Sequence, residues 1–412
     1  MNFKSEFLNE INERGFIYQH IDIKDLDNLM SKNKISGYIG FDITSDSLHV
    51  GSLIQLMLLH WLDFYGHQSI ALIGGGTTLI GDPSGKDQTR KILSKKEIDR
   101  NISNIELTFS RFINLQNNSL IINNYEWLSN LNYIDFLREF GSRITLNKML
   151  TFDSVKSRLD REQPLTILEF NYMLLQAYDF YYLNKNHNCV LQMGGSDQWG
   201  NILSGVDLIR KINKNEAFGV TSPLITNSDG SKMGKTADGA VWLNKEKISS
   251  LNFFQFWRNV NDQDVSRFLY LFTKLPLDEI KKLSALKNQE INEAKKILAF
   301  EVTKIVRGTE EANEALEIAD NTFNSKIVDQ RLPNISQNVS DIENNNFTIL
   351  DAIEKLKLAS SRSEVKRLIK SDGIKVNDTL YKNNDLSLRE YSALKEIKIA
   401  VGKKKIGILK II

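Results

Sequence analysis

This sequence has almost none of the features that mark a disulfide scaffold, a zinc protein or a membrane protein. One cysteine, Cys189, stands among 412 residues, so no internal disulfide can form and a reducing compartment is expected. The five histidines belong to no HExxH motif and there is no CxxC, so no protein metal site is expected. The longest apolar stretch, residues 53–62, is broken by Gln55 and His60 and is too short to span a bilayer. The opening MNFKSEFLNEINERG is polar and mixed in charge, without the apolar centre of a signal peptide. The expectation is a cytoplasmic protein with no membrane association.

What is present is ordinary globular material: 41% hydrophobic and 25% charged residues. The length suggests two or three domains. The net charge of +2 conceals an asymmetry: residues 346–412 hold twelve Lys and three Arg against eight acidic residues, a balance of +7, so the rest carries −5. A basic module on a mildly acidic body predicts a polyanionic partner for the tail.

Residues 1–34 read as helical and charged. Residues 35–41 and 69–73 read as strands and residues 50–65 as the helix between them, the βαβ unit of a nucleotide-binding sheet. Residues 246–325 are helical in period, 326–345 resemble a linker, and the tail opens with two short helices, a turn at Asp372–Gly373 and a strand. No internal repeat is evident.

Three segments carry chemistry. YIGFD at 38–42 is followed by SLHVGS at 47–52. Gly40 allows close backbone approach at a strand end, and His49, Gly51 and Ser52 fall where a helix begins, a place suited to phosphate. Alone, this segment is more simply a surface histidine and a capping serine. GGGTTLIGDPSGK at 74–86 is glycine-rich after a strand, but Ile80 and Asp87 break the Walker A pattern, which disfavours a P-loop kinase or GTPase. DGSKMGKT at 229–236 is a flexible cationic loop able to close on a leaving pyrophosphate, or else a solvated turn.

Together these segments resemble the class I aminoacyl-tRNA synthetases, and most closely the bacterial tyrosyl enzymes. Residues 49–52 are similar to the HIGH signature and 232–236 to KMSKS. GDPSGK at 81–86, LLQAYDF at 174–180 and QMGGSDQWGN at 192–201 are more specific to the tyrosyl enzymes. The five lie in order along a resemblance that runs from about residue 30 to the C-terminus. Ser52 replaces the second histidine of HIGH, and Ile39 offers the nucleotide no polar side chain.

The resemblance implies an α/β fold: a Rossmann-like parallel-sheet catalytic domain over 1–240 with an inserted helical dimerisation segment, a helical tRNA-binding domain over 241–325, a linker over 326–345, and a small α+β RNA-binding domain over 346–412. It implies activation of L-tyrosine by ATP, with Mg²⁺ accompanying the ATP, and transfer to the 3′ end of tRNA(Tyr) by a homodimer. His49 and Thr44 hold the terminal phosphates; Lys86, Arg90, Lys232, Lys235 and Thr236 gather around pyrophosphate. Tyr38 and Asp179 meet the tyrosine hydroxyl; Asp82, Tyr172 and Gln176 take its ammonium, with Gln192 also in the tyrosine site. Gly40, Asp42, Gly51, Ser52, Gly195, Asp197 and Gln198 contact the nucleotide. Arg362, Lys366 and Arg367 face RNA.

The chemistry of these residues agrees. A carboxylate is ionised at neutral pH, so the first step needs no base; it needs positioning and stabilisation of phosphate charge. A phenol donates to Asp179 and accepts from Tyr38, whereas phenylalanine is expected to leave the Asp179 carboxylate buried and unpaired at about 1–3 kcal/mol or more. Tyr178 is expected to pack in the core. A tryptophanyl enzyme is the nearest rival, and Asp179 with Tyr38 argues against it. A non-catalytic RNA-binding protein accounts for the tail but not for the lysine loop. A small-metabolite nucleotidyltransferase leaves the tail unexplained. No residue is evident as a base for the transfer step.

Overall fold

The computed structural model describes residues 2–82, 93–236, 239–324, 332–359, 361–383, 385–402 and 405–412. Strand β1 is Gln19–Ile21, β2 Ser36–Phe41, β3 Gln68–Ile73, β4 Leu120–Asn123, β5 Cys189–Gly195 and β6 Phe218–Ser222. They form one sheet in the order β1-β6-β5-β2-β3-β4, parallel except for the edge strand β1. The inner strands are buried along nearly their whole length, as their unbroken apolar runs require of strands covered on both faces. From β2 the chain passes to β3 on one side; from β5 it passes to β6 on the other. The carboxyl ends of β2 and β5 therefore flank a topological switch point, the place where open parallel sheets bind ligands.

The helix between β2 and β3 starts later than the expected residue 50. A 3₁₀ turn, Val50–Ser52, is capped by the His49 side chain, and the α-helix runs Leu53–Phe64 with Leu53, Ile54, Leu56, Met57, Leu58, Leu59, Trp61 and Leu62 buried. The first 34 residues are not all helical: helices Glu6–Glu13 and Ile23–Met30 enclose β1, a strand too short to show a period.

Between β4 and β5 lie four short helices and the long Ile167–His187 helix. Thr166 and Glu169 close a capping box at its start, and Asn188 ends it in the left-handed conformation. Tyr172, Gln176 and Asp179 descend one side of this helix, three and four residues apart.

A two-stranded ribbon, β7 (Lys235–Thr236) and β8 (Gly239–Ala240), leads into helices Ser250–Arg258, Asp262–Phe272, Leu277–Ser284, Ile291–Arg307 and Thr309–Asn324. Ala294, Leu298, Ala299, Val302 and Val306 form the buried stripe of Ile291–Arg307, at the spacing an amphipathic helix demands.

The tail forms its own sheet, β11-β10-β12-β13-β9, from β9 (Asn334–Gln337), β10 (Ile374–Val376), β11 (Thr379–Leu380), β12 (Glu396–Val401) and β13 (Lys405–Ile411). Helices Ile349–Lys355 and Arg362–Lys370 precede a turn with Asp372 at φ +56°, as the pattern predicted. The stretch 326–345, read as a linker, contributes β9 in parallel register with β13 and a helix, Val339–Glu343. Its alternation is only four residues long and was hidden by polar neighbours. Among the described residues no helix is long and apolar enough to cross a membrane.

Candidate functional site

A cavity of about 340 Å³ opens between the carboxyl ends of β2 and β5. Tyr38 on β2 and Asp179 on the Ile167–His187 helix form its deep wall; they are 1% and 2% exposed. The Tyr38 ring packs on Phe180 at 5.3 Å, and its buried hydroxyl has no hydrogen-bond partner among the described residues. A buried hydroxyl without a partner costs about 1–3 kcal/mol, which a hydrogen-bonding ligand in the cavity would recover.

Asp179 is not left alone. Trp127 Nε1 donates to Oδ1 at 2.7 Å, and Asn124 Nδ2 donates to Oδ2 at 2.9 Å. Burial pushes its carboxyl up to about 7, the nearby Asp42 charge adds to this, and the two hydrogen bonds pull the other way. Asn124 Nδ2 also donates to Thr77 Oγ1 at 3.1 Å, and Thr77 donates to Asp42 Oδ1 at 3.0 Å. Asn124 is itself fixed by accepting from Gly76 N–H at 2.7 Å. Neither Asn124 nor Trp127 was expected at the site. The available signal was the segment NNYEWL at the carboxyl end of β4, next to β3, where a parallel sheet places ligand-binding residues.

A second polar chain crosses the adjoining wall. Gln198 Nε2 donates to Asp82 Oδ2 at 2.8 Å and to Asp197 Oδ2 at 3.2 Å. Asn201 Nδ2 donates to Gln198 Oε1 at 3.0 Å and to Gln176 Oε1 at 2.8 Å. The chain links Asp82 to Gln176, and Tyr172 and Gln192 also line the cavity. Gly194 and Gly195 end β5; a Cβ on Gly195 would lie 2.5 Å from Asp197 Oδ1. Gly40, the next-to-last residue of β2, has open space where a Cβ would stand, leaving room for a flat ligand against bare backbone.

The mouth is built from loops. His49 Nδ1 accepts from Gly51 N–H at 2.9 Å, so the neutral ring carries its proton on Nε2. Gly51 is forced by this geometry, because a Cβ there would lie 2.6 Å from the His49 ring. The His49 ring meets Trp242 edge-on at 6.3 Å between centroids. Ser52 lines the cavity without a side-chain cap bond.

The lysine loop is stitched to this turn: Val50 N donates to Val241 O at 2.9 Å and Val241 N to Gly234 O at 2.8 Å. Gly234, at φ +79°, would place a Cβ 3.2 Å from Val50 Cβ. Lys232 is exposed, bridges Thr226 across the loop and does not line the cavity. Thr44 is also exposed and outside the lining. Lys86 and Arg90 lie outside the described residues, and Lys235 and Thr236 are described only as backbone of β7.

The structure thus gathers Tyr38, Gly40, Asp42, His49, Gly51, Ser52, Asp82, Tyr172, Gln176, Asp179, Gln192, Gly195, Asp197 and Gln198 around one cavity. Tyr178 packs against Phe136 and Phe140, as expected of a core residue. In the tail, Lys366 and Arg367 stand on the exposed side of helix Arg362–Lys370. Arg362 is held by Asp351 at 2.6 Å and Glu354 at 2.8 Å.

A family profile described as tRNA synthetases class I (W and Y) matches residues 30–324. The chain is 50% identical over 407 residues to a tyrosine–tRNA ligase of Pelagibacter ubique, covering 97% of this chain and 98% of that one. It is 49% identical to a tyrosine–tRNA ligase of Bartonella quintana, covering 99% of both chains. Among solved structures, the C-terminally truncated mitochondrial tyrosyl-tRNA synthetase of Aspergillus nidulans aligns with a TM-score of 0.70 at 30% identity, over 77% of this chain and 94% of that one.

Proposed function

The chain belongs to the class I tRNA synthetases of the tryptophan and tyrosine group, and on that premise we propose how its residues divide the work of a tyrosine–tRNA ligase. It activates L-tyrosine with ATP and transfers the tyrosyl group to the 3′ end of tRNA(Tyr). In the first step a tyrosine carboxylate oxygen bonds to the α-phosphorus of ATP. The bond from that phosphorus to its bridging oxygen breaks, and pyrophosphate leaves with the electron pair. No proton need move, so the residues act by placement and charge.

The observation that carries the tyrosine assignment is the buried, unpartnered Tyr38 hydroxyl beside the Asp179 carboxylate. The substrate phenol donates to Asp179 and accepts from Tyr38. The expectation that phenylalanine strands the Asp179 carboxylate is corrected by its two protein donors, Trp127 and Asn124; phenylalanine leaves Tyr38 orphaned, so the discriminating penalty falls on Tyr38. Asp82, Tyr172 and Gln176 take the substrate ammonium, and Gln192 lies beside them. Their support is the polar chain that runs from Asp82 through Gln198 and Asn201 to Gln176.

ATP lies across the switch point. Its nucleoside rests on Gly40 and Gly195, its ribose meets Asp197 and Gln198, and Asp42 and Ser52 flank it. Gly51 lets the His49 ring turn its Nε2 proton toward the phosphates. Thr44, Lys86, Arg90, Lys232, Lys235 and Thr236 complete the phosphate side, and Mg²⁺ arrives as part of the substrate on ATP oxygens. Lys366 and Arg367 contact tRNA phosphates, with Arg362 released from its acidic partners only if RNA competes for it.

The functional division runs 1–240 for catalysis, 241–325 for helical tRNA contacts, 326–345 as the connection and 346–412 for RNA binding, with β9 joining the last unit. A homodimer in the cytoplasm is the working form. Tyr133, Ile134, Leu146, Leu159 and Ile167, on the helices inserted between β4 and β5, are 48–80% exposed and support a covered surface there. Amino-acid-dependent pyrophosphate exchange with tyrosine, tryptophan and phenylalanine tests the reading: exchange is expected with tyrosine alone, and exchange with tryptophan at a similar rate would overturn the pocket assignment.

A further inference from the structure

Two residues outside the cavity lining hold the lysine loop. Asp264, in the first turn of helix Asp262–Phe272, is charged yet 3% exposed. Its Oδ2 accepts from Ser228 N–H at 2.9 Å, and its Oδ1 accepts from Arg267 Nη2 at 2.7 Å. Arg267 Nη2 also donates to the Thr226 carbonyl. A buried carboxylate is costly unless paired, and here both of its oxygens are engaged.

The anchored stretch is one arm of a closed hairpin. Thr226 forms an antiparallel bridge with Lys232. Asn227 N donates to Ser231 O at 2.8 Å, and Gly230 N donates to Asn227 O at 2.9 Å. Asn227 Nδ2 and Ser231 Oγ are 2.9 Å apart, and Ser231 Oγ donates to Asp229 Oδ1 at 2.6 Å. Gripping the backbone at Thr226 and Ser228 therefore sets where Lys232 emerges on the opposite arm. Met233, next to it, is buried and donates its N–H to Ile225 O at 3.2 Å. The loop is tied to the His49 turn on one side and to the helical domain on the other.

We propose that Asp264 and Arg267 are positioning residues for Lys232, fixing the loop so that the lysine meets the departing pyrophosphate. Neither lines the cavity, and both act through the loop backbone. The inference rests on the assignment of Lys232 to pyrophosphate.

The test is a double-mutant cycle on the full chain, read by single-turnover adenylate formation and by equilibrium tyrosine binding. Arg267→Ala is expected to slow adenylate formation by about 10- to 100-fold, the range that a small misplacement of a catalytic group produces, with tyrosine Kd unchanged. Asp264→Asn, which keeps an acceptor for Ser228 N–H but loses the charge facing Arg267, is expected to slow it less. In a Lys232→Ala background Arg267→Ala should cost much less than in the unmodified chain, because the main group it positions is gone.

Equal slowing in both backgrounds, or a loss of tyrosine binding, would mean a general structural role and overturn the proposal. Arg267→Gln is read in the same way if the alanine variant does not fold. If Lys232→Ala slows the reaction and Arg267→Ala does not, the positioning proposal alone fails. If Lys232→Ala has no effect, the reading of the loop fails and takes the proposal with it.

Discussion

The two ends of the cavity are built differently. At the tyrosine end, Tyr38 sits on a central strand and Asp179 on a 21-residue helix, and both are almost fully buried. Asn124, Trp127, Thr77 and Asp42 lock the carboxylate before any ligand arrives. At the mouth, His49 is exposed, and exposed Thr44 and Lys232 stand outside the lining; the turns that carry His49 and Lys232 are tied down by backbone hydrogen bonds. One end is a pre-formed template, where selection rests on buried hydrogen bonds. On the proposed reading, the other acts on groups that change during the reaction. A loop engaged mainly in the transition state raises kcat instead of tightening ground-state binding.

Substitutions at the tyrosine end should separate it from the phosphate end. The largest effect is expected from Asp179→Ala, which leaves Trp127 and Asn124 with unanswered donors as well as removing the phenol acceptor. Tyrosine kcat/KM should fall by about 100-fold or more, from a charged hydrogen bond worth about 1.5–3 kcal/mol plus the stranded donors. Pyrophosphate exchange checks this; retention of activity and discrimination would misplace the pocket.

Removing residues 332–412 takes away the whole tail sheet, including β9. It should reduce tRNA charging strongly while leaving adenylate formation intact, measured on one protein preparation. Equal loss of both would show that the tail supports the catalytic unit instead of serving RNA.

Tyr38→Phe removes the orphaned hydroxyl. Discrimination against phenylalanine should drop by about tenfold, because the penalty for an unpaired group of about 1–2 kcal/mol vanishes with the group. The ratio of kcat/KM for the two amino acids reports it.

The tyrosine end should also respond to pH. The Asp179 carboxyl, raised by burial to about 7, accepts the phenol hydrogen bond most strongly when ionised. Protonation below that value replaces a charged acceptor by a weaker neutral one, so tyrosine Kd should rise as pH falls through about 7, by up to tenfold per unit. Trp127→Phe deletes a donor that favours the charged form, so the pKa should rise and the same weakening should begin at higher pH. An unmoved profile would mean that Asp179 is not the titrating group.

Much of this was legible in the sequence because class I chemistry is concentrated in contiguous motifs. The strand at 36–41, the helix after His49 and the QMGGSDQWGN segment are local patterns with local consequences, and fourteen of the residues singled out meet at one cavity. Asn124 and Trp127 were missed because they reach Asp179 from 55 and 52 residues away in the chain. No motif marks that pairing; the sheet order creates it by placing β4 beside β3. Strand β9 was missed because four residues of polar alternation look like linker until β13 supplies their partner. Arg362 reads as a free cation in a basic helix, yet Asp351 and Glu354, eleven and eight residues earlier, hold it.

The division between a rigid tyrosine template and a transition-state phosphate loop is tested most directly by Lys232→Ala. Tyrosine Kd by equilibrium dialysis and the single-turnover rate of adenylate formation are measured on the same protein. The account predicts an unchanged Kd with a rate lowered by about 100-fold, the usual scale for losing one electrostatic stabiliser of a transition state. A Kd that weakens in step with the rate, or a rate that does not move, would contradict it.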